Sequence, residues 1–370
     1  MQTARPARRT IVIFGGYAIA VAVAGLGQAL ALDPLARFVL DVVALAGGAV
    51  AVGEGTERLS ERLSPAATGV VQSVLGNLPE LFLAIFALRA GLVGLVAAAL
   101  VGSVLGNALF VLGLALLVGG VRHGTLRFSG GANRLYATIL LLGVAALAIP
   151  FLATQPGAPD FGHERELSAF VALVLLGVFA ISVPVAIRVA GPGPGTKPDN
   201  AALEADAGVP RVHHALPPTL ALLGVSAGAA ALVADWFVEA LDPAMTAVGM
   251  SEAFAGLIVV ALAGNAVENL AGVTAAARNR ADLALSLILN SALQVVLFLA
   301  PVLVLLSFFV APVPLTLILS PLLLGALVVT TLLVFAIVVD GEANALEGAM
   351  LLGLYLVIAA AVWWGPAIGG

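Results

Sequence analysis

Two glutamates, Glu80 and Glu268, lie in the middle of long apolar runs. Each closes the same short motif: Gly76-Asn77-Leu78-Pro79-Glu80 and Gly264-Asn265-Ala266-Val267-Glu268. The motifs are 188 residues apart, and the same offset carries Ser103 onto Ser291 and Leu109-Phe110 onto Leu297-Phe298. Leucine matches are cheap in so apolar a chain. Gly-Asn-x-x-Glu followed 23 residues later by Ser, twice at one offset, is not. A carboxylate at the centre of a bilayer costs about 2.5–3.5 kcal/mol on insertion scales. No Lys or Arg lies at comparable depth in the apolar runs to neutralise either one. Two remedies remain: a proton, which desolvation favours, or a bound cation. A protein that alternates the two exchanges a cation for protons. A single intramembrane Glu can be a protonated packing residue; a matched pair argues for chemistry.

Other oxygen donors fall near these acids. Helical spacing puts Gly76, Asn77 and Glu80 on one face, and Gly264, Asn265 and Glu268 on another. Pro79 has no N–H and leaves the carbonyl of Leu75 without a helical partner, which is tolerated where the carbonyl lines a cavity or an ion site. Ser103 and Asn107 stand at i, i+4, and Asn290, Ser291 and Gln294 follow in the second copy. Carboxylate, amide, hydroxyl and carbonyl oxygens with no nitrogen or sulfur ligand suit a hard cation. Ca²⁺ takes 6–8 such oxygens, and ligand type alone leaves Na⁺ and Mn²⁺ open. The bland alternatives are small helix-contact residues for the serines and interhelical hydrogen bonding for the amides. A second acidic set, Glu54 with Glu57 and Asp235 with Glu239, is read as a proton or cation access path or as solvated helix ends. Asp41 is read as a solvated residue near the outer end of its span.

These side chains must be positioned by membrane helices. Of 370 residues, 16 are Lys or Arg and 21 Asp or Glu, so 10% are charged, where soluble domains carry about 25%; the hydrophobic class reaches 61%. This excludes a soluble globular protein, a nucleic-acid binder and a disordered chain. With no Cys, thiolate metal sites and disulfides are excluded, and the four His all lie in polar stretches. A single Lys, Lys197, among so many Arg suggests a GC-rich prokaryotic source. Breaks at charged, Pro and Gly-rich positions leave eleven spans near 11–32, 38–56, 66–88, 92–119, 134–153, 167–189, 216–238, 246–276, 283–309, 312–338 and 346–364. With the N-terminus inside, thirteen Lys/Arg face the cytoplasm and three, Arg37, Arg89 and Arg165, face outside, as the positive-inside rule requires. The C-terminus then falls outside. The first span also imitates a signal peptide, with Ala29-Leu30-Ala31 at the cleavage position, although its apolar run is longer than usual. The polar stretch 191–215 reads as a cytoplasmic linker. The expected organisation is an N-terminal helix (1–34), a five-helix repeat (35–190), the linker, and a second five-helix repeat of inverted topology (216–370): an all-α polytopic membrane protein of the secondary-transporter kind.

With these residues assembled, Val74–Gly113 and Gly256–Pro301 resemble the paired alpha-repeats of the calcium/cation antiporter superfamily. The Gly-Asn-x-x-Glu form and Asn290-Ser291-x-x-Gln294 are most similar to its Ca²⁺/H⁺ exchanger branch. Gly53-Glu54-Gly55-Thr56-Glu57 and Ser251-Glu252-Ala253-Phe254-x-Gly256 resemble the lead-ins to the two repeats. Asn269 stands where that branch usually has His, and Pro79 is closer to the sodium-coupled pattern. The resemblance implies an eleven-helix antiporter in which Glu80 and Glu268 carry cation and proton, with Asn77, Asn265, Ser103, Ser291, Gln294 and Asn107 as nearby ligands. It implies a non-enzymatic transporter of the prokaryotic cell membrane that exports Ca²⁺ for H⁺, with Ca²⁺ as cargo and no cofactor. A Na⁺-coupled exchanger of the same fold is the alternative.

Overall fold

The computed structural model describes residues 4–60, 63, 71, 74–128, 131–158, 160–189 and 216–363. They are helical almost throughout. In chain order the helices are α1 (Ala4–Ala29), α2 (Pro34–Ser60), α3 (Leu78–Arg89), α4 (Val93–His123), α5 (Gly131–Ala153), α6 (Glu164–Val189), α7 (Leu216–Val248), α8 (Glu252–Gly264), α9 (Ala266–Ala277), α10 (Ala281–Val310), α11 (Pro321–Asp340) and α12 (Ala345–Trp363). A two-residue strand, β1 (Leu126–Arg127), pairs antiparallel with β2 (Glu342–Ala343). Among the described residues, nine helices are long and apolar enough to cross a membrane, or ten if the bent pair α8–α9 is one span. Large apolar side chains such as Ile11, Phe170, Val225 and Phe309 point outward. That placement suits hydrocarbon and would be unfavourable in water. The linker 191–215, residues 364–370 and much of the expected third span (64–70, 72 and 73) lie outside the described residues.

Side-chain contacts fix the two ends of the bundle. At one end β1 meets β2, His123 Nε2 lies 3.0 Å from the Ala277 carbonyl, and Asn133 Nδ2 donates to Asp282 Oδ1. This end carries Arg122, Arg127, Arg134, Arg278 and Arg280. At the other, Glu252 meets the start of α4 and Ser251 bonds the carbonyl of Val362. That Arg-poor end carries Arg89 and Arg165. Helices α2 and α7 run antiparallel along their length, with Phe38 on Phe237, Gly48 near Ala230 and Gly55 against Leu223. Helix α1 packs beside them: Tyr17 covers Gly47 and Gly48 and donates to the Ser226 carbonyl.

Helices α4 and α8 meet backbone to backbone. A Cβ on Gly102 would lie 2.3 Å from the Leu257 carbonyl oxygen, and one on Gly256 would lie 2.5 Å from that of Leu95. Only glycine allows the two backbones to touch there.

The structure departs from the expected spans in three places. Helix α7 runs to Val248, past the expected end at 238. The expected span 246–276 is instead the end of α7, a turn, and two helices, α8 and α9, bent by 64°. The expected span 312–338 begins with an extended segment, and helix α11 starts only at Pro321. Pro312 and Pro314 keep that segment out of helix. Leu315, Leu317 and Leu319 are buried in alternation with their neighbours. Two of its N–H groups find buried hydroxyls: Leu315 N donates to Ser307 Oγ at 2.8 Å and Leu317 N to Ser168 Oγ at 3.0 Å. Non-helical backbone at this depth is tolerated only when its polar groups are met inside the protein.

Candidate cation site

The Gly-Asn motifs break their helices. Asn77 has φ −92° and ψ 13°, and Asn265 has φ −88° and ψ 16°. These are bridge-region values in both copies. Each Asn is the N-cap of a twelve-residue helix, α3 and α9, whose starts are 188 residues apart. The two glutamates are therefore at the N3 position of a short helix, where the sequence suggested the middle of a continuous span. The first turn of a helix carries partial positive charge from unpaired N–H groups. That charge lowers the cost of burying a carboxylate. The side chain of Glu268 lies outside the described residues.

Glu80 sits against Gly264. A Cβ on Gly264 would be 2.8 Å from both Glu80 Cγ and Glu80 Oε1, so the carboxyl occupies the space a side chain would need. A cavity of about 10 Å³ adjoins it, lined by Leu45, Pro79, Glu80, Leu83, Val260, Ala263 and Gly264. The carboxylate of one motif is thus seated on the glycine of the other.

The amides and hydroxyls interlock across the two halves of the chain. Asn77 Nδ2 donates to Gln294 Oε1 at 3.2 Å. Asn265 Nδ2 donates to Ser103 Oγ at 3.2 Å and to the Ala261 carbonyl at 3.0 Å. Asn107 Nδ2 donates to Ser291 Oγ at 3.1 Å and to the Ser103 carbonyl at 2.9 Å, with Asn265 Oδ1 at 3.5 Å. Ser291 Oγ also donates to Asn265 Oδ1 at 3.4 Å. All six side chains are buried. Among the described residues, Asn107 Oδ1 is buried with no hydrogen-bond donor, an acceptor left open. Asn107 and Gln294 miss a common offset by one residue, yet each holds the N-cap Asn of the opposite half. Asn107 belongs to a π-helical turn (Gly106–Val111) and Gln294 precedes another (Val295–Leu299). Such wide turns re-aim side chains and recur at functional sites.

The second acidic set is divided by burial. Glu54 is buried and ion-paired with Arg58, with Arg58 Nη2 2.8 Å from Glu54 Oε1. Arg58 also bonds Thr10 of α1 and lies over the Phe14 ring. Glu54 is therefore not a solvated helix end, whereas Glu57, three residues on, is exposed. Asp235 and Glu239 are both exposed on α7. Asp41, expected to be solvated, is fully buried. Gln28 Nε2 donates to its Oδ2 at 3.1 Å, and Arg37 Nη1 donates to Gln28 Oε1 at 3.1 Å. The amphipathic spacing gave no sign of this burial, because α1 supplies the cover and its rotation on α2 is a tertiary matter.

Two short helices, each starting in a Gly-Asn turn with a glutamate at N3, and a buried cluster of amides and hydroxyls joining the two halves mark a polytopic membrane protein. The chain belongs to the sodium/calcium exchanger protein family, which it matches over residues 34–188 and 218–364. It is 32% identical to a Ca²⁺/H⁺ antiporter of Aphanothece halophytica, over 96% of this chain and 97% of the relative. It is 31% identical to the Ca²⁺/H⁺ antiporter ChaA of Bacillus subtilis, over 88% of this chain and 90% of the relative. Among solved structures it is similar to native YfkE, with a TM-score of 0.78, 29% identity, and coverage of 95% of this chain and 99% of the other. A sodium–calcium exchanger structure shares the fold at 19% identity and a TM-score of 0.55.

Proposed function

We propose that this protein is a secondary antiporter that carries Ca²⁺ out of the cytosol in exchange for protons. One observation carries the reading: the Glu80 carboxyl lies on Gly264 of the opposite motif, beside a buried oxygen cluster drawn from both halves. Glu80 and Glu268 bind Ca²⁺ when ionised. Amide and hydroxyl oxygens of Asn77, Asn265, Ser103, Ser291, Gln294 and Asn107 complete the coordination that a hard cation demands. Protons arriving from outside neutralise the glutamates and release the ion. Binding of proton and of Ca²⁺ is then mutually exclusive, and this antagonism couples the two gradients. Two inverted five-helix repeats, 35–190 and 216–370, rearrange about the midplane site. The family match over 34–188 and 218–364 and the paired helix starts at one offset support that division. The Arg-rich end faces the cytoplasm, which puts the N-terminus inside and the C-terminus outside the cell membrane. The relatives named Ca²⁺/H⁺ antiporters support the choice of ions and a transport role without chemical catalysis.

The test is Ca²⁺ uptake into inside-out vesicles holding the protein, driven by an acid lumen. Uptake that collapses when the pH gradient is dissipated, and that Glu80→Gln abolishes, is expected. Uptake that needs Na⁺ in place of the pH gradient would assign the sodium-coupled alternative, and a fully active Glu80→Gln would remove Glu80 from its role.

A further inference from the structure

We propose that Glu252 is a positioning residue for the exchange: it latches α8 of the second half onto α4 of the first and holds the oxygen cluster closed toward the Arg-poor face. The inference rests on the alternating-access reading given above. Helix α4 has no cap of its own. It starts after Leu92, which makes no side-chain capping bond, although the first N–H groups of any helix lack partners within it. Glu252 supplies an acceptor from the other half of the chain: Leu95 N donates to Glu252 Oε1 at 2.7 Å. The bond sets a carboxylate at the positive end of a helix, and a charged acceptor makes it stronger than a neutral pair. Leu95 is 0% exposed, so loss of the carboxylate would leave its N–H buried without a partner.

The latch stands between the Arg-poor end and the cluster. Along α4 the order is Leu95 at the latch, Ala98 and Gly102 at the glycine contact, then Ser103 and Asn107 in the cluster. Along α8 it is Glu252, then Gly256 and Leu257, with Asn265 just past the end of the helix. Both helices therefore run side by side from latch to cluster. Leu95, Ala98, Ala255 and Leu257 are 0% exposed, so the seam between them is sealed, while Glu252 is half-buried at its rim. The start of α8 is also tied to its own half. Ser251 Oγ accepts from Phe254 N at 3.0 Å and donates to the Val362 carbonyl, and the rings of Phe254 and Trp363 meet edge-on with centroids 4.5 Å apart. Helices α8 and α12 are thus joined at this end, and Glu252 is where that pair grips α4. Exposed Asp242 of α7 acts on Glu252 through its charge. Opening the cluster to the Arg-poor face requires the outer ends of α4 and α8 to part, and the bond from Leu95 N to Glu252 to break.

The experiment uses the full chain in vesicles. Ser103→Cys places a single thiol just inside the glycine contact, in a chain with no other cysteine. Its reaction with a small impermeant methanethiosulfonate is timed in right-side-out and in inside-out vesicles, with and without Glu252→Ala. Loss of the latch is expected to speed the reaction from the outside about fivefold or more, with no gain from the cytoplasmic side. Glu252→Gln keeps an acceptor and loses the charge; it is expected to give an intermediate rate, and it carries the test alone should Glu252→Ala fail to fold. With Ser103 intact, Glu252→Ala is expected to raise the half-saturating Ca²⁺ concentration for uptake into inside-out vesicles about tenfold, because fewer molecules present the site to the cytoplasm. An outside rate that Glu252→Ala leaves unchanged would overturn the proposal. So would a gain equal from both faces, which marks general loosening, or a gain from the cytoplasmic face alone. Absence of pH-driven uptake by the wild type would remove the proposed coupling to protons, while the thiol rates would still decide whether Glu252 closes the outer side.

Discussion

At the residue scale the site is built from side chains that hold one another across the two halves of the chain. Asn107 donates into two other elements and keeps its own Oδ1 unsatisfied. Its amide therefore both sets the distance between α4 and α10 and presents an oxygen. Replacing Asn107 by Ala is expected to raise the half-saturating Ca²⁺ concentration about tenfold, near 1.4 kcal/mol, measured as uptake rate against Ca²⁺. An unchanged value would mean that the amide only joins helices. Gly264 is the other sharp case. An added methyl meets the Glu80 carboxyl, the end of a flexible side chain, and not backbone. Gly264→Ala is thus expected to fold, to keep its thermal midpoint within a few degrees, and to lose exchange more than a hundredfold by displacing Glu80. The identities of these residues were legible in the sequence because Gly-Asn-x-x-Glu recurs at one offset. Their pairing was not: Asn107 and Gln294 break that offset by one residue, and the π-helical turns at or beside them leave no mark in the hydropathy.

At the element scale the decisive features are interruptions. The sequence pattern shows apolar runs, and a run reads as a continuous helix whether or not it breaks in the middle. Gly76-Asn77 and Gly264-Asn265 were visible as residues that share a face with a glutamate. That they are N-caps of new helices follows from backbone torsions that hydropathy does not encode. The break changes the electrostatics, since an N3 carboxylate gains the partial charge of a helix start. The 311–320 stretch misled for the same reason: Leu315, Leu317 and Leu319 have the hydropathy of a span, but two prolines hold them extended. Ser168→Ala would leave the Leu317 N–H without its acceptor. It is expected to destabilise the protein by about 1–3 kcal/mol, read as a lower thermal midpoint, with the affinity for Ca²⁺ unchanged. No loss of stability would mean that the N–H finds another acceptor.

At the scale of the whole molecule, the contacts that join β1 to β2 and Asn133 to Asp282 gather Arg122, Arg127, Arg134, Arg278 and Arg280 at one end, the end proposed above to face the cytoplasm. The chain contains no Cys, so single introduced thiols report without background. Thr125→Cys is expected to react with an impermeant maleimide only in inside-out vesicles, and Gln155→Cys only in right-side-out ones. The reverse pattern would invert the topology and turn proposed export into import. The covering of Asp41 belongs to this scale too. Gln28 and Arg37 are unremarkable in sequence, and only the docking of α1 on α2 makes a buried acid of a residue near a helix end.

The contact between α4 and α8 sets how these two helices can move. Gly102 meets the backbone of Leu257, and Gly256 that of Leu95, with no side chain between them. Such a contact would favour rotation about the crossing over sliding along either axis. Ser103 and Asn107 on α4 and Asn265 past the end of α8 lie beside it, so a small tilt there would change access to the oxygen cluster.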